Sequence, residues 1–448
     1  MSGGEAKLRR RLGPFDATMI VMGGIVGAGI FINPYVVAKA VHTPFLILGA
    51  WAAGGVLAML GAFIWAELAT RLPEAGGQYL YLREAYHPMI AFMYGWVLLL
   101  VTNTGGMAAV AVTFAHYYRE ITGFGGSDGA IAAAALLALT AINCLGVRAG
   151  SSVQSLLMVL KAGAIAAMVA IGLIFGGGHV TLEPLLDRPV SLSLLAALGA
   201  AMTPVAFAYG GWQTASFVAG EMKNPRRDLS RGLFFGVLGV VVLYLSVNFV
   251  CVRVLGPAGL AATNTPASAV MRVALGERGA RWIAVGIAVS TLGFLSQGIL
   301  TAPRVYYAMA RDGLFFETVG RLSARTGAPM VAIVLQGFTA SAVAILGRYD
   351  QILNYEVSVD FISFALTAAS LFVFRRRDRA GTPVELYRTP GHPYTTTLFV
   401  AACAAIVIGT IANNPANAAI GQLILLTGIP VYWYWSRRKR AASGSSNS

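Results

Sequence analysis

Few side chains in this 448-residue sequence combine a type and a setting suited to chemistry. Lys161 stands inside the apolar run VQSLLMVLKAGAI (153–165). It is the tenth residue of a stretch, 152–175, long enough to cross a bilayer. That places it roughly 15 Å along a helix, poorly placed to snorkel to an interface. A lysine at such depth costs about 2.5–3.5 kcal/mol on insertion scales, so a function is expected of it. Glu356 and Asp360 are one helical turn apart; they either line a vestibule or proton route, or form a solvated, paired helix entrance. Glu67 falls near the end of an apolar segment, where an interfacial carboxylate is usually structural.

His42, His87, His116, His179 and His392 lie at segment ends or in loops. Cys144, Cys251 and Cys403 sit far apart in apolar stretches. Neither set has metal-ligand spacing or a disulfide framework, so no metal and no cofactor is expected. A membrane-embedded enzyme would commonly show clustered His/Asp motifs or a Ser/His nucleophile pair. The chain has neither, and no catalytic residue is assigned.

The elements that must position Lys161 are membrane helices. Hydrophobic residues make up 57% of the chain, charged residues 12%, and the mean hydropathy is +0.69. A soluble protein of this length needs a far more charged surface. Apolar segments of spanning length are read at 15–40, 44–70, 88–117, 129–146, 152–175, 191–219, 230–255, 281–303, 329–347, 352–374, 394–412 and 416–436. With the N-terminus inside, the termini and inside loops hold 24 of the 33 Lys and Arg residues, and the outside segments hold eight. Lys161 is the remaining one. This bias predicts an even number of spans with both ends cytoplasmic. It also accounts for the net charge of +14 without nucleic acid. No cleavable signal peptide is read in the polar, basic first 14 residues. The segment 76–86 (GGQYLYLREAY) is too polar to span and is expected along the cytoplasmic interface, its tyrosines at headgroup depth. The outside stretch 256–280 has room for a short amphipathic helix.

Two spans are interrupted. The first, FDATMIVMGGIVGAGIFINPYVV, places Gly23, Gly24, Gly27 and Gly29 mid-run, each costing about 1 kcal/mol of helix propensity relative to Ala. The sixth, LGAAMTPVAFAYGGWQTASFV, carries Pro204 and then Gly210 and Gly211. Close packing through small-xxx-small faces would explain either segment alone. Interruptions at corresponding places in two successive five-helix sets point instead to a transporter with inverted repeats and a midplane site. Unwound backbone at that depth must line a cavity or find partners. A half-helix N-terminus suits a carboxylate and a half-helix C-terminus an ammonium. The pair therefore predicts a zwitterion of amino-acid size.

The run GGIVGAGIFINP (23–34) resembles the first-helix motif of the amino acid–polyamine–organocation (APC) superfamily. FAYGGWQTASFVAGEMKNPRRDLSRG (207–232) is similar to the sixth helix and following loop of its L-type amino acid transporter (LAT) branch. AELATRLPEAGGQYLYLREAY (66–86), VQSLLMVLKAGAI (153–165) and STLGFLSQGILTAPRVYYAMARDG (290–313) add to the resemblance. It covers most of 13–330 and weakens beyond; the long sixth-helix match is the specific part. It implies an all-α, leucine-transporter-like 5+5 inverted-repeat fold with 12 transmembrane helices, helices 1 and 6 unwound at mid-membrane. Helices 1–5 would occupy 15–175, helices 6–10 residues 191–374, and helices 11–12 residues 394–436. The cytoplasmic tails would be 1–14 and 437–448.

By the same resemblance, Ile25, Gly27, Ala28 and Gly29 would hold the substrate carboxylate. Carbonyls of Phe207, Ala208 and Gly210 would receive the ammonium, and Phe207 would close over the substrate as a gate. Gln213 stands where many relatives place Asn, and Ala28 where many carry Ser, which removes a hydroxyl from the pocket. Lys161 would replace the sodium ion of sodium-coupled relatives, bridging the first helix near Gly27 and the eighth near Ser290. Eukaryotic light chains of the branch carry a cysteine after the third helix; the loop 118–130 has none, so no disulfide-linked heavy subunit is expected and the chain looks bacterial.

The implied function is sodium-independent transport of neutral L-amino acids across the inner (plasma) membrane, by exchange or proton symport. Transport of cationic amino acids or polyamines would need an acidic recognition residue; none is read at the interruptions of spans one and six, but spans three, eight and ten could contribute one. An amino-acid-sensing receptor on the same fold would bind without flux.

Overall fold

The computed structural model describes residues 8–346, 349–378, 387–413 and 415–444. The remainder of the two expected tails and the outside residue Arg348 fall outside the described residues. The described chain is helical, with one isolated bridge between Leu12 and Met222. Its helices are α1 (Pro14–Ile25), α2 (Gly29–Ala40), α3 (Pro44–Arg71), α4 (Gln78–Ala85), α5 (Pro88–Val97), α6 (Asn103–Thr122), α7 (Asp128–Cys144) and α8 (Val147–Phe175). There follow α9 (Leu192–Tyr209), α10 (Pro225–Ala262), α11 (Pro266–Thr301), α12 (Pro303–Arg311), α13 (Met330–Leu346), α14 (Tyr349–Asp378), α15 (Tyr394–Asn413) and α16 (Pro415–Gly444). Proline opens many of them, where its missing N–H breaks no intrahelical bond. Ser127 and Ser191 cap α7 and α9 by accepting the N–H groups of Ala130 and Leu194.

Among the described residues nine helical stretches are long and apolar enough to cross a membrane, and α1–α2, bent by 43° at its break, makes a tenth. Asp128–Cys144 and Met330–Leu346 are shorter apolar helices. The stretch read as one sixth span is α9 followed by a 3-10 helix, Trp212–Glu221. The third is α5 and α6 joined through a π-helical turn, Leu98–Thr102. The outside stretch 256–280 holds the end of α10 beyond a kink at Gly256 and the start of α11 before a kink at Gly276.

Segment 76–86 departs from expectation. It forms α4, but Tyr79 and Tyr81 are fully buried rather than at headgroup depth. For Tyr79 the cause is polar satisfaction inside the protein, since its hydroxyl donates to Asp312 Oδ2 at 2.7 Å, whereas the Tyr81 hydroxyl is buried with no hydrogen-bond partner among the described residues. Arg83 reaches the same carboxylate at 2.6 Å.

The loops sort into two ends. At one end Arg304 grips Glu221 through two bonds, 2.8 and 3.1 Å. The backbone N–H groups of Arg11 and Leu12 donate to the Glu221 carbonyl. Lys439 donates to the Asp312 carbonyl at 2.8 Å, and Arg377 to that of Glu84 at 2.7 Å. Both described tails thus share an end with the loops read as inside. At the other end His42 meets Asp187 at 2.8 Å, and Arg253 donates to the Gly178 carbonyl at 3.2 Å. The buried carboxylate of Glu67, near this end of α3, is held by Arg375 at 2.6 Å, Arg71 at 2.7 Å and the Thr389 N–H at 2.6 Å.

Candidate functional site

Mid-bundle, helix geometry lapses between Ile25 and Gly29 and again at Gly210 and Gly211. The two breaks lie backbone against backbone. A Cβ on Gly24 would stand 2.7 Å from the Gly211 carbonyl oxygen, and Gly211 itself takes φ +113°. Only glycine combines that approach with that conformation. Each break leaves backbone polar groups without helical partners, and at the second break several find one locally. The Gly210 N–H donates to the Phe207 carbonyl at 3.1 Å. The Gly211 N–H donates to Gln213 Oε1 at 3.0 Å. Thr214 donates its hydroxyl to the Gly211 carbonyl at 2.7 Å and accepts from Gln297 Nε2 at 2.5 Å.

Tyr244 on α10 ties the breaks together. Its buried hydroxyl lies 3.0 Å from the Ile25 carbonyl and 3.1 Å from that of Ala208. Its ring packs against Trp51 and Tyr209, at centroid distances of 5.6 and 5.0 Å.

The breaks open on a cavity of about 310 Å³. All eight residues singled out for substrate line it: Ile25, Gly27, Ala28, Gly29, Phe207, Ala208, Gly210 and Gln213. The first N–H groups of α2 have no partner within the helix, and the macrodipole gives that end about half a positive charge. The end of α9 offers carbonyls of the opposite polarity. In this conformation the Ala208 carbonyl is engaged by Tyr244 and that of Phe207 by Gly210, so an arriving ammonium would share or displace those donors. Phe207 is 37% exposed at the cavity wall.

Lys161 is fully buried on α8 beside the first break. Its ammonium donates to the carbonyl of Val26, the residue before Gly27. It also packs on α11, where a Cβ on Gly293 would come within 3.4 Å of Nζ. The Ser290 hydroxyl is buried with no hydrogen-bond partner. The α1 half of the expected bridge is therefore present, and the Ser290 half is unmade in this conformation.

Sequence reasoning missed other wall residues. Asn33 lines the cavity and donates to the Pro204 carbonyl at 2.8 Å, linking α2 to α9. The π turn brings Thr102 and Asn103 into the wall, and Phe294 and Gln297 arrive from α11. Gln297 sits in the quoted run 290–313, but nothing in its spacing marks it as facing Thr214. Glu356 and Asp360 both line the cavity, and Glu356 Oε2 is buried without a partner.

The family profile described as amino acid permease matches residues 12–435. This chain belongs to the amino acid permease family. The permease is 30% identical over 443 residues to the serine/threonine exchanger SteT of Bacillus subtilis, covering 96% of this chain and 98% of the relative. It is 28% identical over 459 residues to the human large neutral amino acids transporter small subunit 2, covering 98% and 84%. To the rabbit b(0,+)-type amino acid transporter 1 it is 30% identical over 443 residues, covering 95% and 88%. The permease is thus a multi-pass membrane protein of the APC superfamily, as its first- and sixth-helix motifs imply.

Proposed function

We propose that this permease is a secondary active transporter of neutral L-amino acids, working by alternating access without sodium, as an exchanger or with a proton. One observation carries the reading: two broken helices turn opposed backbone ends toward a single cavity of about 310 Å³. That volume falls in the range of small-ligand sites. The N–H end at Gly27, Ala28 and Gly29 takes the carboxylate, and the α9 end at Phe207, Ala208 and Gly210 takes the ammonium. Gln213 steadies the turn between them, and Phe207 closes over the substrate. Because backbone supplies both charges, side-chain identity is read elsewhere on the wall. Lys161 fills the place of a sodium ion, with Ser290 joining the bridge when the cavity closes. The relatives' names, exchangers and transporters of amino acids, support this reading.

The fold goes with it. Counting the bent pair as one span and adding α7 and α13 brings the number to twelve. Residues 15–175 and 191–374 would be the two inverted repeats, 394–436 the added pair, and both tails cytoplasmic at the inner (plasma) membrane. A heavy subunit linked by disulfide has no cysteine to bond within 118–130.

A second reading, transport of cationic amino acids or polyamines, is favoured by Glu356 and Asp360 on the same wall. One experiment tests both. Purified permease in liposomes is given labelled amino acids against internal amino acid, a pH gradient and a sodium gradient. Uptake of neutral substrates, driven by counter-substrate or pH and unchanged by sodium, is the expected outcome. Sodium dependence would overturn the role of Lys161, and binding without flux under every gradient would indicate a sensor. Preferential uptake of dibasic substrates, lost in Glu356→Gln, would establish the second reading.

A further inference from the structure

At the end of the bundle that carries both tails, α3 and α10 line a cleft of about 440 Å³. Arg226, Arg227 and Arg231 line it, with Phe234 and Phe235 further along α10 and Phe63 facing them from α3. The three arginines lie on the first two turns of α10, and all three are exposed. From Arg227 to Phe235 is eight residues, about 12 Å along the helix axis. The wall therefore passes from guanidinium to aromatic over roughly the depth at which a lipid passes from headgroup to acyl chain. Phe234 stacks on Phe63 across the cleft with centroids 6.2 Å apart, and Phe235 remains 56% exposed.

Four arginines of this end have acidic partners: Arg71 and Arg375 hold Glu67, Arg83 holds Asp312, and Arg304 holds Glu221. Among the described residues none of the three cavity arginines has a side-chain hydrogen bond or an ion pair. The nearby carboxylate of Asp228 is buried and spent on the Asn224 N–H, at 3.0 Å. The N-terminus of α10 adds its partial positive charge. A bias of arginine toward one side of a membrane accounts for basic residues at this end; it does not account for three unpaired ones gathered on one cleft with exposed aromatics beside them.

We propose that this cleft binds the phosphodiester of an anionic phospholipid, its headgroup on Arg226, Arg227 and Arg231 and its acyl chain along Phe234 and Phe235. A basic pocket between membrane helices is the expected form of such a site. Its location gives it leverage, because α10 also carries Tyr244, which ties the two breaks together. The proposal stands independently of which substrate the central cavity takes.

The test uses the full-length permease, delipidated in detergent and supplied with phosphatidylglycerol, phosphatidylcholine or inorganic phosphate. Retained lipid is read by native mass spectrometry and stability by thermal unfolding. Wild type is expected to retain and be stabilised by phosphatidylglycerol over both alternatives. A basic residue near a membrane surface contributes roughly fivefold in affinity, so Arg227→Gln should lose about that much. The combined Arg226→Gln, Arg227→Gln and Arg231→Gln variant should lose on the order of a hundredfold, while Arg321→Gln with Arg325→Gln, outside the cleft, retains wild-type binding. Undiminished phosphatidylglycerol retention in Arg227→Gln would overturn the proposal, even if the triple variant fails to fold. Equal stabilisation by inorganic phosphate, or by phosphatidylcholine, would overturn the anionic lipid as occupant.

Discussion

Lys161 and the Glu356–Asp360 pair show how differently buried charge can be housed. The lysine has its ammonium on a main-chain carbonyl that the first break has released, so its charge is matched to a dipole rather than to another side chain. The carboxylates line the cavity itself, where an occupant can reach them. Removing the lysine leaves the Val26 carbonyl buried without a donor. Loss of a hydrogen bond to a charged group costs about 1.5–3 kcal/mol, which is roughly 10- to 100-fold in any equilibrium that depends on it. Lys161→Ala is therefore expected to lower uptake by at least tenfold in proteoliposomes and to flatten its dependence on pH. Wild-type rates with an unchanged pH profile would remove Lys161 from the coupling mechanism. Its depth is readable in the sequence because one lysine interrupts an otherwise apolar run. Its partner is reached only through the resemblance, which puts the contact near Gly27; the run itself does not show it, since Val26 lies 135 residues away and contributes only backbone.

At the scale of elements, the breaks depend on glycine for reasons that differ by position. Gly211 needs its positive φ, and a Cβ there would also collide with the Gly24 carbonyl. Strain of that kind costs on the order of 1–3 kcal/mol. Gly211→Ala should lower the melting temperature and reduce uptake by tenfold or more. Gly199→Ala, on α9 with open space around the new methyl group, should do neither. Equal behaviour of the two variants would mean that the second break tolerates a side chain and is not held by contact with the first. These interruptions are legible because Gly and Pro punctuate apolar runs. The π turn is not: LLLVT contains neither, and nothing in its residue types marks the hydroxyl of Thr104, which donates to the Leu99 carbonyl within that turn. Tyr244 is hidden in the same way, as one aromatic in an apolar helix whose two acceptors come from other segments. Likewise, the polarity of 76–86 is legible, whereas Asp312, which draws Tyr79 inward, lies 233 residues away.

The whole molecule is shut at one end. Glu221 and Arg304, each 1% exposed at the side chain, close the end that bears the tails, and the N-terminal segment is pinned across them through Arg11 and Leu12. The cavity instead extends from the breaks past Asn33 and Thr113, toward the end that carries His42 and Asp187. For a substrate to leave past the tails, the buried ion pair must open. Breaking such a pair from one side costs about 3–5 kcal/mol, because the remaining charge is stranded. Arg304→Gln should therefore destabilise this conformation relative to one open at the tail end. A cysteine replacing Ser216, buried here on the 3-10 helix, reports the change. In a background free of the three native cysteines, Arg304→Gln is expected to speed its labelling by a reagent confined to the tail side at least tenfold. Adding Glu221→Gln removes the stranded charge and should return part of the lost thermal stability without restoring the lock. Unchanged labelling in Arg304→Gln would show that the pair only stabilises the fold and that closure of this end rests on the apolar packing around it.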